Sequence, residues 1–137
     1  MHLPRIVRPL SLATAVLAAR AIVAPAATAL AATPEQVMAW LPGKWAEAGK
    51  CKDGWMRFDR KGKAWAYREL AYEKGKPFPA TASADAMGVV TVTAMMPGGE
   101  YTFVNTFHDR NSFDAVETFT SADTKGEPSS HAYGRCK

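Results

Sequence analysis

The sequence predicts an all-β domain, an antiparallel up-and-down meander of seven or eight strands that closes into a small barrel after one short N-terminal helix. Three observations predict this fold. Beyond Gly43, large apolar and polar side chains alternate, and turn-forming residues recur at short spacing. Two cysteines, Cys51 and Cys136, lie near the two ends of this alternating region. Closure is favoured because it removes exposed strand edges.

The first 31 residues have the pattern of an export signal. Arg5 and Arg8 precede the apolar stretch LSLATAVLAA, and a small-x-small motif ends at Ala31. We therefore expect cleavage after Ala31 and a periplasmic or extracellular protein. Arg20 interrupts the apolar run, which costs about 2.5–3.5 kcal/mol in a membrane-spanning segment, so no stable membrane anchor is expected.

Cleavage leaves residues 32–137 as a single domain with enough chain for one core. This part carries 14 basic and 13 acidic side chains, because three basic residues and no acidic ones precede it. The nearly balanced charge removes the main argument for nucleic acid as a partner. We expect a monomer whose partner is a small apolar ligand or an envelope protein.

The helix is predicted over residues 34–41. Thr33 is a good N-cap, and Gln36 stands where a capping box places Glu or Gln. Pro42-Gly43 ends the helix. The apolar stripe consists of Val37, Trp40 and Leu41.

The strands are predicted from alternation between turn signals. Aromatic side chains share one face of the later strands and threonines share the other, which indicates a sheet with one side buried. The candidate strands are about 44–49, 54–60, 63–73, 79–86, 88–96, 100–108, 112–120 and 130–137.

Cys51 and Cys136 form an even pair, which in an exported protein is most simply a disulfide. A bridge over so long a loop stabilises the fold by about 4–5 kcal/mol in the chain-entropy model. The alternative is two free thiols. Neither cysteine has a second ligand nearby, so no metal is expected.

The motif LPGKW at residues 41–45 follows the predicted helix and opens the first strand. It is similar to the Gly-x-Trp signature of lipocalins and related calycin barrels. Those families commonly carry an arginine on the last strand, and Arg135 is placed for that role. The resemblance implies that Gly43 and Trp45 close the bottom of the barrel. It also implies that Arg135 stacks on the indole, worth about 0.5–2 kcal/mol, and that the protein binds a ligand without catalysis.

The sequence also resembles a family of small periplasmic inhibitors of secreted metalloproteases, which are exported eight-stranded barrels with a Gly-x-Trp near the start. That resemblance implies that residues ahead of the barrel enter a protease cleft. Here residues 32–34 look like a helix cap instead, and the cysteines of that family lie closer together than Cys51 and Cys136. The inhibitor is retained as an alternative function.

The candidate ligand-binding residues lie on the aromatic face. Three polar residues fall among the rings there: Glu69, Asn105 and Glu117. They line a cavity for a polar or cationic ligand head, form an internal hydrogen-bonded network, or lie outside if a bulge shifts the alternation. A ligand carrier predicts a cavity of a few hundred Å³ bounded by Phe103, Phe107, Phe113 and Phe119. The full set is Trp65, Tyr67, Glu69, Tyr101, Phe103, Asn105, Phe107, Phe113, Glu117 and Phe119.

An enzyme is the alternative of another class. It would be a hydrolase that uses Glu69 and Glu117 as a carboxylate pair. Nothing in the sequence fixes their separation, and an aromatic-lined barrel offers no evident cleft for a polymer. We therefore predict no catalytic residue and no cofactor.

The other polar groups that stand out in the sequence are explained by surface positions, with no catalytic or metal-binding role. His108 and Asp109 are adjacent on a strand and point to opposite faces, so they indicate a pair at the barrel rim. His131 lies two strands away from His108, about 10 Å, too far for a shared zinc ion. The basic run at 57–63 is interleaved with acid and indicates a solvated hairpin rather than a phosphate or membrane patch.

Overall fold

The computed structural model describes residues 31–137. One helix is followed by eight strands, which form a single closed barrel in chain order with every neighbouring pair antiparallel. The predicted fold class is confirmed. The predicted export signal lies outside the described residues apart from Ala31. The elements are α1 (Pro34–Trp40), β1 (Gly43–Ala46), β2 (Met56–Lys61), β3 (Ala64–Glu69), β4 (Phe78–Ala84), β5 (Val90–Met96), β6 (Gly99–Asp109), β7 (Ser112–Ser121) and β8 (Ser129–Arg135).

Helix α1 begins with the predicted capping box. The backbone N–H of Gln36 donates to Thr33 Oγ1 over 3.2 Å, and the backbone N–H of Thr33 donates to Gln36 Oε1 over 2.8 Å. Val37 is 2% exposed and Leu41 is fully buried, and both belong to the barrel core. The helix is therefore docked on one end of the barrel. No helix in residues 31–137 is long and apolar enough to cross a membrane.

Strands β1 and β3 end three and four residues earlier than predicted because the backbone turns. Strand β1 stops at Ala46, and the chain then turns through Gly49 with φ of +79°. Strand β3 stops at Glu69, and Glu73 and Lys74 adopt positive φ values of 45° and 53°. Positive φ is incompatible with an extended strand, and neither Glu nor Lys signals it in a sequence.

The alternation of side chains holds from Phe103 to Phe107 on β6 and from Phe113 to Glu117 on β7, and the pairing shifts register between Phe107 and Asp109, next to the turn. Inward-facing Phe103 is fully buried and lies 5.6 Å from Phe58 between ring centroids. Outward-facing Val104 and Val116 are paired across the hairpin and are 38% and 42% exposed. The inner face of the sheet is thus a filled aromatic core, as small barrels usually have.

The two chain ends close the barrel together. In the seam between β1 and β8, Trp45 pairs with Arg135. The predicted Cys51–Cys136 disulfide is present, with an S–S distance of 2.08 Å. Gly43 has a φ of +133°, and a Cβ there would lie only 2.6 Å from Arg135 Nη1, so both the backbone and the arginine require glycine.

Candidate functional site

The barrel has two different ends. The closed end carries α1 and the short turns that follow β2, β4 and β6. The opposite end, called here the loop end, carries the longer connections at 47–55, 70–77 and 122–128 and the turn at 97–98. A side chain that faces inward near the loop end can reach solvent through these loops, so this is where a site inside the barrel must be sought.

A small cavity of about 100 Å³ opens near the loop end. Two carboxylates and three phenols meet around it, and we call this group the tyrosine–glutamate pocket: Tyr67, Glu69, Tyr101, Glu117 and Tyr133. The remaining lining comes from Gly54, Trp55, Met56 and Ala71. Of the ten predicted ligand-binding residues, the pocket brings together Tyr67, Glu69, Tyr101 and Glu117.

Strand register explains how these residues meet. Tyr67 and Glu69 are two positions apart on β3 and therefore share the inner face. Glu117 on β7 lies directly opposite the buried Phe103 of β6, which fixes its side chain inward. Tyr101 is two positions before Phe103 and faces the same way.

Glu117 is the most confined member of the pocket. Its side chain is only 4% exposed, and its two carboxylate oxygens accept hydrogen bonds from different hydroxyl groups, those of Tyr101 and Tyr133. Glu69 accepts a hydrogen bond from the Tyr67 hydroxyl over 2.7 Å. Both carboxylates thus have phenol donors, as an internal network requires.

Neither carboxylate has a cationic partner in the part of the chain that the structure describes. Within residues 31–137, no lysine, arginine or histidine nitrogen lies within 4.0 Å of Glu69 or Glu117. A buried carboxylate is expensive unless it is both hydrogen-bonded and paired. The hydrogen bonds are present, and the opposite charge is not supplied by this part of the chain.

The phenols are fixed as hydrogen-bond donors. Burial, reinforced by the neighbouring carboxylates, raises the pKa of Tyr67, Tyr101 and Tyr133 well above the ordinary tyrosine value. The three hydroxyls therefore stay protonated at any physiological pH. The pocket offers carboxylate oxygens and aromatic rings, which together favour a positively charged group.

The remaining predicted residues lie elsewhere. Phe107 and Phe113 pack on Trp45 at the closed end, with ring centroids 5.9 and 4.7 Å from the indole. Phe119 is 41% exposed, and its ring centroid lies 6.4 Å from that of Tyr101. The four phenylalanines proposed to bound one cavity therefore do not face a common space. Phe103 and Trp65 are buried core residues.

Asn105 is separate from the pocket and is fully buried. It lies on β6 opposite Val90 and Ala115, and its amide nitrogen and oxygen find no hydrogen-bond partner among the described residues. An unsatisfied buried amide costs about 1–3 kcal/mol, so this position needs an explanation other than stability.

Five of the nine residues that line the pocket were not predicted from the sequence, and Tyr133 and Trp55 are the largest of them. Tyr133 lies two positions before Arg135 on β8 and so shares its face, a signal that the alternation offered. Trp55 lies in the predicted strand 54–60, but β2 begins only at Met56, so alternation along that strand did not place the indole in the pocket. It packs where a Cβ on Gly75 would come within 2.8 Å of the indole, so the glycine in the β3–β4 loop makes room for it.

The histidines form separate surface pairs. His108 Nε2 lies 2.8 Å from Asp114 Oδ2, and His131 Nδ1 lies 2.7 Å from Glu47 Oε1. The hydrogen bond from His131, with the help of Lys50, lowers the pKa of Glu47. Within residues 31–137, no three His, Cys, Asp or Glu side chains are grouped so that they could hold a metal ion.

Comparison of the chain with known protein families, with curated proteins and with solved structures finds no match. For residues 31–137 the structure establishes a closed eight-stranded antiparallel barrel with one short helix. This architecture is consistent with the lipocalin resemblance suggested by LPGKW and Arg135.

Proposed function

We propose that this chain is an exported, non-enzymatic binding protein of lipocalin-like type, and that it holds the cationic head of a small amphipathic ligand in the tyrosine–glutamate pocket. The closure of the barrel supports the lipocalin-like assignment, since Arg135 stacks over Trp45 with its guanidinium carbon 4.1 Å from the ring centroid. The Cys51–Cys136 disulfide supports export, because disulfides persist in oxidising compartments.

The ligand proposal rests on the surroundings of the Glu117 carboxylate. Its carboxylate is buried, accepts two phenol hydrogen bonds and has no described cation within 4.0 Å. Glu69 lines the same cavity. A ligand ammonium group would supply the missing charge, and the rings of Tyr67 and Trp55 would add cation–π attraction.

The size of the pocket limits what enters it. Pockets for drug-sized ligands occupy roughly 300–1,000 Å³, whereas this cavity measures about 100 Å³. It therefore admits a head group of a few heavy atoms, and the apolar tail would extend toward the loop end. Phe119, which is 41% exposed beside Tyr101, offers that tail a surface.

The direct test is calorimetric titration with three probes of equal chain length: octylammonium, octanol and octanoate. We expect octylammonium to bind tightest. The affinity of the variant Glu117→Gln for octylammonium should be lower by about tenfold or more, because the variant cannot form the buried ion pair with the ammonium group. The control Glu100→Gln removes the same charge from an exposed position on β6 and should leave the affinity unchanged.

Tighter binding of octanoate, or equal affinity of the wild type and Glu117→Gln for octylammonium, would contradict this function. Circular dichroism of each variant checks that the barrel is intact. Because Gln keeps the shape of Glu, its amide oxygen can accept from one of the two phenols and its NH2 group can donate to the oxygen of the other, so we expect the substitution to preserve the fold.

Features of the structure count against the two alternative functions. An inhibitor that inserts its N-terminal segment needs that segment free and extended, whereas Pro34–Trp40 is helical and docked through Val37. A hydrolase needs access for its substrate, whereas Glu69 and Glu117 face a cavity of only about 100 Å³ and are already engaged by tyrosines.

A further inference from the structure

A second concave site lies around β2 and β3, next to the pocket, with which it shares only Trp55. It is a groove of about 530 Å³ that is rich in guanidinium and ammonium groups. We call it the cationic groove, and its lining consists of Trp55, Arg57, Asp59, Arg60, Lys61, Ala64, Trp65, Ala66 and Arg68. The small side chains of Ala64 and Ala66 leave space between the long ones.

An unfavourable charge pair forms one wall of the groove. Arg57 on β2 is the direct cross-strand partner of Arg68 on β3, so both guanidiniums project from the same face. Like charges directly opposite one another destabilise a sheet. A fold selected for stability alone would place a threonine or a carboxylate at one of these positions.

One carboxylate is shared between the two arginines. Asp59 Oδ1 accepts from Arg57 Nε over 2.7 Å, and Asp59 Oδ2 accepts from Arg68 Nε over 3.0 Å. The three side chains are between 31% and 52% exposed, so the ion pairs are screened by solvent. Asp59 orients the two guanidiniums and leaves the group with a net positive charge.

The outer edges of both guanidiniums remain available. Arg57 Nη1 and Nη2 make no hydrogen bond within the described residues, and Arg68 Nη1 reaches only the Gly75 carbonyl at 3.4 Å. Lys61 also lines the groove. Paired guanidinium N–H groups are suited to bidentate binding of carboxylate, sulfate or phosphate oxygens.

Charge is also segregated along the chain. Residues 44–68 carry eight basic and three acidic side chains, while the rest of residues 32–137 carries six basic and ten acidic ones. The near-neutral total therefore hides a basic side, formed by β1 to β3, and an acidic remainder. Such a field attracts anions to the groove.

We propose that the cationic groove binds an acidic oligosaccharide through its carboxylate or sulfate groups. The sheet here offers no free strand edge to an acidic peptide, since β2 is paired with β1 and β3, and β3 is paired with β2 and β4. The site is concave, whereas docking on an anionic membrane surface calls for a protruding basic patch. Trp55 also lines the groove; Lys44 Nζ lies over its indole at 5.0 Å from the ring centroid, so a sugar ring that stacks on Trp55 would use the opposite face.

The test is titration of the wild type with trigalacturonate at low salt. The double variant Arg57→Gln/Arg68→Gln should weaken binding by about tenfold or more, because it removes the bidentate donors. The control Lys125→Gln/Lys137→Gln lowers the net charge by the same amount outside the groove, and should change the affinity by less than about twofold. Glu117→Gln should leave this binding unchanged, which separates the groove from the pocket.

Stability provides a second readout. The double variant loses the repulsion between Arg57 and Arg68 together with their two solvent-screened ion pairs to Asp59, so it should unfold at about the same temperature as the wild type. A lower unfolding temperature would assign the arginines a structural role and overturn the proposal. Equal loss of affinity in the control variant would also overturn it, and so would tighter binding of polyglutamate, a single-stranded oligonucleotide or phosphatidylglycerol vesicles than of trigalacturonate.

Discussion

The guanidinium carbon of Arg135 lies 4.1 Å from the centroid of the Trp45 indole ring. The same side chain donates to the Trp40 carbonyl over 2.5 Å and to the Pro42 carbonyl over 3.0 Å, and Nε donates to the Arg110 carbonyl over 3.0 Å. One residue of the last strand thus joins the end of α1, the start of β1 and the β6–β7 turn, which closes this end of the barrel.

Replacement of Arg135 by lysine should lower the free energy of unfolding by about 2–4 kcal/mol, because a single ammonium cannot reach the three carbonyls and lies less well over the indole. Urea unfolding followed by circular dichroism measures this. The matched control is Arg110→Lys, which keeps the carbonyl that Arg135 uses and should stay within about 0.5 kcal/mol of the wild type. Equal effects of both substitutions would refute the role of Arg135.

The disulfide should account for a large share of stability, since it links positions 85 residues apart. The variant Cys51→Ser/Cys136→Ser should lose about 4–5 kcal/mol of unfolding free energy in the chain-entropy model. Wild-type protein with its disulfide reduced should match the variant. Unchanged stability after reduction, measured by the same urea titration, would show that the bridge contributes nothing.

Alkaline pH should unfold the barrel through its buried phenols. The pKa values of Tyr67, Tyr101 and Tyr133 are raised in the folded state, while an unfolded tyrosine ionises near pH 10. The folded state therefore retains more protons above that pH, so stability is complete below about pH 10 and falls as the pH rises further.

Absorbance at 295 nm, which follows phenolate, and circular dichroism should consequently change together above about pH 10 for these three residues. Tyr133→Phe should reduce the absorbance change that accompanies unfolding by the contribution of one tyrosine. Full ionisation of Tyr67, Tyr101 and Tyr133 while the circular dichroism spectrum stays native would be inconsistent with their burial beside carboxylates.

The buried amide of Asn105 should lower the free energy of unfolding. Substitution by leucine, which has the same number and branching of heavy atoms, removes two core polar atoms that have no partner among the described residues and should raise the free energy of unfolding by about 1–3 kcal/mol. The control Thr102→Val on the outer side of β6 should have a much smaller effect. A loss of stability in Asn105→Leu would show that the amide has a bound partner, such as a buried water molecule.

The strands and the closure could be predicted because both depend on local patterns. Alternation from Tyr101 to Phe107 identifies the inner face without any knowledge of the fold, and the structure keeps that assignment at Phe103 and Asn105. The pairing of Trp45 with Arg135 follows from a motif at one end and an arginine at the other. The early end of β3 depends on positive φ at Glu73, which no residue preference signals.

The pocket could be predicted only in part. Parity places Glu69 and Glu117 on the inner face, but which side chains meet across the interior depends on the tilt and stagger of the strands. These parameters bring Tyr133 of β8 and Tyr101 of β6 to the same carboxylate, that of Glu117. Phe107 lies near the closed end and Phe119 near the loop end. Residues on the same face of the sheet therefore do not all line the same cavity.

The claim that Glu117 receives a ligand cation is tested most directly by native mass spectrometry. Wild type and Glu117→Gln would be incubated side by side with the same extract of small molecules from the organism that makes the protein. We expect an added amine-bearing compound on the wild type that is absent from Glu117→Gln and displaced by octylammonium. An anionic compound on the wild type, or the same compound on both proteins, would contradict it.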